Sequence, residues 1–270
     1  MRPSLFLRVV ATEARVHLAY RADFWIQSVL GVAAQVALAY FVWQAMFRES
    51  GATRIGGFDL TGMAVYYLVV VLLAKLVLGP EHAGRVSQDV YEGGLNRYLV
   101  FPTSYFLFKY AQSLGALLPA VVQLALLALA APLVLASPEG VAITPGGAAM
   151  AAVSVGAANL LYFAMSFPVQ CVAFWAENVW SLAVALRLAA GLLGGLLLPL
   201  AVFPEGVRAI LAWLPFRFLF DEPVRVLLGQ VAFLDWLEGL GLALAWTGAV
   251  LLGGRLVWRR GVLGYGGVGI

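Results

Sequence analysis

The chain has 270 residues, enough for one large domain or two small ones. Hydrophobic residues make up 63% and charged residues 11%, the net charge is +3, and mean hydropathy is +0.92. So few polar groups cannot coat a water-soluble core, which excludes a soluble enzyme, a disordered chain and a nucleic-acid-binding module. The pI of about 9.1 therefore points to lipid head groups as the acidic partner. The single cysteine, Cys171, lies in an apolar run. It can form no internal disulfide, and no zinc or iron–sulfur spacing exists.

Residues 3–23 place Leu7, Val10, Ala14 and Leu18 at helical spacing, with Arg8, Thr12 and Arg15 on another face and Arg21 behind them. This predicts an amphipathic helix over 1–23 lying on the inner membrane surface through Arg8, Arg15 and Arg21. A plain solvated extension of the first span is the alternative. The arginines also precede an apolar run as in a signal peptide, but that run is too long for an h-region and no small-residue cleavage site follows.

A bilayer core about 30 Å thick needs ~20 apolar residues in a helix. Six windows qualify: Phe24 to Phe47, Leu60 to Leu78, Leu114 to Leu135, Ala148 to Phe174, Trp180 to Val202 and Trp236 to Trp258. Backbone groups in lipid must be satisfied internally, and barrel-type alternation is absent, so these read as helices. The fold class expected is an all-α membrane protein with six transmembrane helices, forming one domain over 1–270.

Residues 79–113 form a long loop between spans two and three. It carries Glu81, His82, Arg85, Gln88, Asp89, Glu92, Asn96 and Arg97, then Pro102, with Val86, Val90 and Leu95 as an apolar side. Gly93 and Gly94 break helical continuity, since glycine costs up to ~1 kcal/mol inside a helix. Two short helices around a glycine hinge are predicted. Such a loop suits docking to another protein, and locally it is equally a solvated connector.

Residues 203–235 form the longest segment on the other side. Two amphipathic pieces, Glu205 to Trp213 and Phe220 to Phe233, are separated by Leu214, Pro215 and Phe216. They are too short to span and rich in aromatics, so they read as re-entrant-type helices dipping into the outer leaflet between spans five and six.

Six spans put both termini on one side. Arg2, Arg8, Arg15, Arg21, Arg85, Arg97, Lys109, Arg255, Arg259 and Arg260 lie there, ten in all, against five on the other side: Arg48, Arg54, Arg208, Arg217 and Arg225. The bias places both termini in the cytoplasm.

Catalytic parts are missing. Neither histidine lies in a span, His-Glu-x-x-His is absent, and Asp221, Glu222, Asp235 and Glu238 are mixed with arginines. No acid lies well inside a span, which argues against carboxylate-coupled carriage. Lys75, near the inner end of span two, is expected to snorkel. Arg187 lies roughly two turns into span five, where it reaches the interface, pairs with Glu177 or Asn178, or faces a substrate path. No phosphate-binding loop exists, so the chain has no ATPase site of that kind and an active pump would need a motor on another chain.

The order of these parts resembles the transmembrane subunit of an ABC-2 type exporter. Tyr20-Arg21-Ala22-Asp23-Phe24 is similar to the lead-in to span one in bacterial members, and Ile55-Gly56-Gly57-Phe58 to the approach to span two. The run from Tyr91 through Glu92, Gly93, Gly94, Leu95, Asn96, Arg97, Tyr98, Leu99, Val100 and Phe101 to Pro102 resembles the family's acidic-Gly-Leu pattern with its Leu-x-x-Pro ending. Leu198-Pro199-Leu200, Phe203-Pro204 and Leu214-Pro215-Phe216 resemble its span-five exit. Arg259-Arg260-Gly261 and Tyr265-Gly266-Gly267 resemble its tail.

The resemblance implies a permease that works as a dimer with a same or related chain and binds a soluble ATPase. It implies that Asp89, Glu92, Gly93, Gly94, Asn96, Arg97 and Pro102 form the ATPase-coupling site, braced by the N-terminal helix. No cofactor is bound directly; ATP and Mg sit on the partner ATPase. A path along spans one, two and five makes Arg187, Phe41 and Tyr66 candidate path residues. The location implied is the bacterial cytoplasmic membrane. A multidrug or lipid efflux role fits the apolar faces. The competing readings are a non-transporting membrane scaffold or assembly protein, and a secondary carrier, which lacks support from buried acids or inverted repeats.

Overall fold

The computed structural model describes residues 1–19, 21–79, 86–125 and 143–265, and only the backbone of 18, 19 and 21–28. The protein is helical there, with one isolated bridge between Ile55 and Phe58. Five helices are long and apolar enough to cross a membrane: Val29–Ser50, Leu60–Leu78, Tyr105–Ala125, Pro145–Phe174 and Phe233–Gly264.

The second of these, α3 (Leu60–Leu78), which follows α1 (Pro3–Ala19) and α2 (Arg21–Ser50) in the chain, is the centre. Its sequence is apolar on every face, the pattern of a helix buried all round. Met63, Tyr66, Val70 and Val77 are fully enclosed. Asp59 starts it, its carboxylate accepting the Gly62 N–H at 2.8 Å. Gly79, at φ 66°, ends it.

On one side lies α2, attached along a single stripe. Val32, Val36, Ala39, Trp43 and Phe47 recur every three or four residues and pack into the α3 core, while Leu30, Leu38 and Phe41 face outward. Facing α3 from another side is α7 (Pro145–Cys171), capped by Thr144, whose hydroxyl accepts the Gly147 N–H at 3.0 Å. Buried Asn159 of α7 donates to the Leu76 and Val77 carbonyls at 2.8 and 3.3 Å, satisfying acceptors left open at the end of α3.

The closing helix α11 (Phe233–Gly264) runs along α7. Gly254 lies against Phe167 and Pro168, Gly261 against the Phe174 ring, and the Trp236 indole donates to Ser154 at 2.8 Å. Small residues let two apolar helices approach where lipid supplies no driving force for their association.

The N-terminal helix α1 packs on α6 (Tyr105–Ala116), where Gly115 faces the Val10 carbonyl, Glu13 and Ala14. Val10 and Ala14 turn toward α6, while Leu7 of the same expected stripe is exposed, as are Arg8 and Arg15. The Arg21 side chain lies outside the described residues.

Two expectations change and one is met. The third span begins nine residues earlier than predicted, because Tyr105 to Ser113 continue helically through Ala116 and, after a turn at Leu117, to Ala125; the end expected at Leu135 lies outside the described residues. Between spans two and three, α4 (Val86–Tyr91) and α5 (Leu95–Leu99) do flank a glycine turn, with Gly93 at φ 70°. The fifth window is not one continuous helix. Helix α8 (Trp180–Leu193) has 14 residues, ~21 Å by helix rise, and ends at Gly194, with Gly195 at φ 96°.

From there residues 196–199 continue without helix to a short 3₁₀ turn, Leu200–Val202. The segment nonetheless travels the height of α3: Trp180 adjoins a cavity with Val77 and Gly79, and Leu200 adjoins another with Asp59 and Gly62. Its freed carbonyls find donors. Tyr66 donates to Gly195 at 2.8 Å, Tyr67 to Leu197 at 2.7 Å, and the Asp221 N–H to Gly194 at 2.9 Å. Irregular backbone at such depth is tolerated only when protein groups satisfy it, and α3 supplies two phenols for that. Two further short helices, α9 (Glu205–Leu211) and α10 (Asp221–Leu227), follow beside the Asp59 end of α3.

Candidate functional site

The loop after α3 is fastened rather than free. Asp89, on α4, is 7% exposed. Its Oδ2 accepts from Tyr105 at 2.5 Å and lies 2.6 Å from Lys109 Nζ, itself 5% exposed. Arg97 of α5 stands 3.8 Å from the other carboxylate oxygen. The Tyr98 ring lies between two cations, with Arg97 and Lys109 each 4.8 Å from its centroid. One acid thus joins α4 and α5 to the start of α6.

The same loop is pinned to the end of α7. The Val86 N–H donates to Gln170 at 2.6 Å and Tyr91 donates to the Ala176 carbonyl at 3.1 Å. Below it, Val86, Val90 and Leu95 join Tyr105, Phe167 and Cys171 in a hydrophobic cluster that extends to Trp258 and Tyr265. Tyr105 stacks on Trp258 at 4.6 Å, so α6 touches the end of α11 there. Packed and bonded contacts therefore join α5 to α6, α7 and α11.

Of the residues expected to form the coupling site, Glu92, Asn96, Arg97 and Pro102 are exposed, and Gly93 and Gly94 form the turn between the helices. Asp89 is enclosed and braces the others. Beside them Leu99, Val100 and Phe101 are exposed apolar side chains, Val100 at 83%. Sequence reading missed Lys109 and Tyr105 as the anchors of Asp89. The signal was present in one of only two lysines, set among Tyr105, Phe106, Phe108 and Tyr110.

A cavity of about 610 Å³ opens at this Gly79 end, among α3, α4, α7 and α8. Polar groups line it: Gln88, Glu92, Ser113, Asn159, Gln170 and Arg187. Arg187 is exposed there. The other two candidate path residues stand apart from it. Tyr66 is fully buried and engaged with Gly195, and Phe41 lies on the outer face of α2. Lys75 does not simply snorkel: its Nζ lies 3.4 Å from Gln123 Oε1.

A second cavity, about 590 Å³, opens at the Asp59 end. Arg54, Arg208, Arg217 and Arg225 line it, together with Asp59, Asp221 and the Gly56–Gly57 turn. Arg217 is committed, donating to Glu222 Oε2 at 2.9 and 3.2 Å and to the Ala212 carbonyl at 3.2 Å. Burial pushes the carboxyls of Asp221 and Glu222 up from their ordinary range. Arg225 opposes the shift for Asp221, and Arg217 opposes it for Glu222.

Among the described residues no cluster of three or more His, Cys, Asp or Glu side chains is placed to hold a metal. Five apolar helices of spanning length define a multi-pass membrane protein. The family model of the ABC-2 family transporter protein matches residues 33–269, and the chain belongs to that family. It is a membrane component and not itself an ATPase. No curated protein matches the chain.

Proposed function

We propose that this protein is the membrane subunit of an ATP-driven exporter in the bacterial cytoplasmic membrane. It pairs with a second permease chain, the same or related, and takes its drive from a soluble ATPase that holds ATP and Mg. The supporting observation is the clamp around Asp89. A loop that merely links two spans has no reason to bury an ion pair, whereas a loop that receives force must be rigidly joined to the helices it moves. Glu92, Asn96, Arg97 and the exposed Leu99, Val100 and Phe101 then form the face presented to the ATPase.

In this reading both termini and the Gly79 end of α3 are cytoplasmic. The segment 180–202 supplies the sixth crossing as a broken helix, and 203–235 lies at the outer surface. The polar cavity with Arg187 is the cytoplasmic side of the substrate path. The face of α2 bearing Leu30, Leu38 and Phe41 is open for the second permease chain. The substrate class that fits these surfaces is amphipathic.

The test is affinity purification from native membranes in mild detergent, with mass spectrometry of co-eluting chains. The expected result is a stoichiometric soluble protein with a phosphate-binding loop. Glu92→Lys should weaken that association, or uncouple ATP hydrolysis from transport, while membrane insertion stays intact. Recovery without any ATPase, under conditions that preserve other such complexes, overturns the exporter reading in favour of a scaffold. Transport driven by an ion gradient alone would establish a carrier.

A further inference from the structure

The cavity at the Asp59 end has a chemistry that neither the family nor the coupling loop accounts for. Four guanidinium groups surround it, and only that of Arg217 is hydrogen-bonded. Arg54 has no hydrogen bond or ion pair among the described residues. Arg208 meets Glu205 only at 3.6 Å, and that carboxylate is exposed to solvent. Arg225 lies 4.0 Å from Asp221. The acids that line the cavity are Asp59 and Asp221. One Asp59 oxygen is engaged as the cap of α3, and Asp221 is nearly buried, its N–H donating to the Gly194 carbonyl. Three arginines therefore line one space without a hydrogen bond among the described residues, two of them in loose ion pairs only.

Their placement is built, not incidental. Arg54 precedes a two-residue hairpin turn in which Ile55 and Phe58 exchange both backbone hydrogen bonds, at 2.9 and 3.1 Å. Gly56 and Gly57, at φ 59° and 86°, have the left-handed backbone such a turn requires. A Cβ on Gly56 would press against Ala201 and Val202 at 3.1–3.3 Å, so the turn is seated on the segment that closes the cavity. Arg208 projects from α9, whose other residues Val207 and Ile210 are exposed, as is Trp213 just beyond at 72%. The Trp246 indole fixes the Trp213 carbonyl at 2.9 Å. The short helix that brings Arg208 to the cavity thus also carries exposed apolar side chains.

We propose that this cavity binds a phosphate-type oxyanion, and that its occupant is the head group of an anionic amphiphile whose chains lie along Val207, Ile210 and Trp213. Guanidinium forks match the paired oxygens of a phosphate, and a tail on those apolar side chains fixes which oxyanion enters. The exporter reading enters only in calling this end the outer one; the binding itself needs no ATPase.

The experiment uses the purified, delipidated full chain. Native mass spectrometry compares retention of phosphatidylglycerol with that of phosphatidylcholine, and inorganic phosphate is titrated as competitor. Phosphatidylglycerol is expected to be preferred on the order of tenfold, with phosphate competing only weakly. The substitution Arg54→Gln removes no internal contact, so it should lower the preference several-fold without unfolding the protein. The triple change Arg54→Gln, Arg208→Gln and Arg225→Gln should abolish it. Arg259→Gln, on the last turns of α11 at the opposite end, should leave it unchanged. An undiminished preference in the triple variant overturns the site. Phosphate binding as tightly as the lipid keeps an oxyanion site but overturns the amphiphile as its occupant. Loss of ATPase co-purification would sink the exporter reading while leaving these binding results as they are.

Discussion

Asp89 and Lys109 show how single residues decide the behaviour of the inner loop. Both are nearly excluded from solvent and 2.6 Å apart, so removing one leaves a buried charge uncompensated. Lys109→Met should destabilise the protein by about 3–5 kcal/mol, and the double change Asp89→Asn with Lys109→Met should recover much of that loss. The readout is thermal unfolding in detergent; equal losses in the single and double variants would show that the pair is not coupled. Glu222 gives a pH signature at the other end. Burial raises its carboxyl above the ordinary 4.5, so the folded state holds the proton more tightly than the unfolded chain. The resulting stability is full below about pH 4.5 and is lost as pH rises through the raised value. Melting temperature should therefore gain a contribution as pH falls toward 4.5, and Glu222→Gln should flatten it. An unchanged slope in that variant would assign the pH dependence to other groups.

Among the elements, the broken fifth segment is the most consequential. Its non-helical carbonyls depend on Tyr66 and Tyr67, two neighbours on α3 whose phenols reach Gly195 and Leu197. Tyr67→Phe should cost about 1–3 kcal/mol, the range for orphaning a buried acceptor, and Tyr66→Phe at least as much. Tyr40→Phe, on a half-exposed position of α2, is the matched control and should cost little. The α7–α11 pair depends on absent side chains. Gly261→Leu has to displace the Phe174 ring, and because that ring packs with Trp258 and Tyr265, the change should loosen the base of the loop that carries α4 and α5 as well. Protection of the α4–α5 amides in hydrogen exchange would report it. Unaltered protection there would confine the damage to the helix pair.

At the scale of the whole molecule, the question is how many times the chain crosses. Cys171 is buried, so native thiol labelling should be low and introduced cysteines readable. A cysteine at Val100 should react with a membrane-impermeant reagent only from the cytoplasmic side. Cysteines at Asn178 and Glu205 should react from opposite sides, since the proposal has the segment between them cross. Labelling of both from one side would reduce the protein to five crossings and put its termini on opposite faces. Another property of the whole molecule is that α2 is held to the rest along one stripe, with the remainder of its surface apolar and open. An apolar face left open in this way has to be covered by lipid or by another apolar surface.

Composition and hydropathy by themselves determined the solvent, the helical class and the position of four long helices, because a span must be apolar over its length whatever it packs against. The short helices around Gly93 and Gly94 were legible for a similar reason: glycine acts locally on the backbone. The exposed Glu92, Asn96 and Arg97 lie beside that turn, where the polar run of the sequence had placed a loop. The tertiary structure decided the rest. That Asp89 is buried with Lys109 depends on α4 folding back onto α6, and no spacing between residues 89 and 109 announces it. That 180–202 is a helix followed by a non-helical stretch was written in Gly194, Gly195 and Pro199. Yet such residues also occur within intact spans, and only the phenols of α3 made the break affordable. The meeting of Arg54 with Arg208 and Arg225, more than 150 positions away in sequence, came from packing alone. Sequence periodicity is set by the local geometry of one element, whereas a site is made by the distances between elements, which only the folded chain fixes.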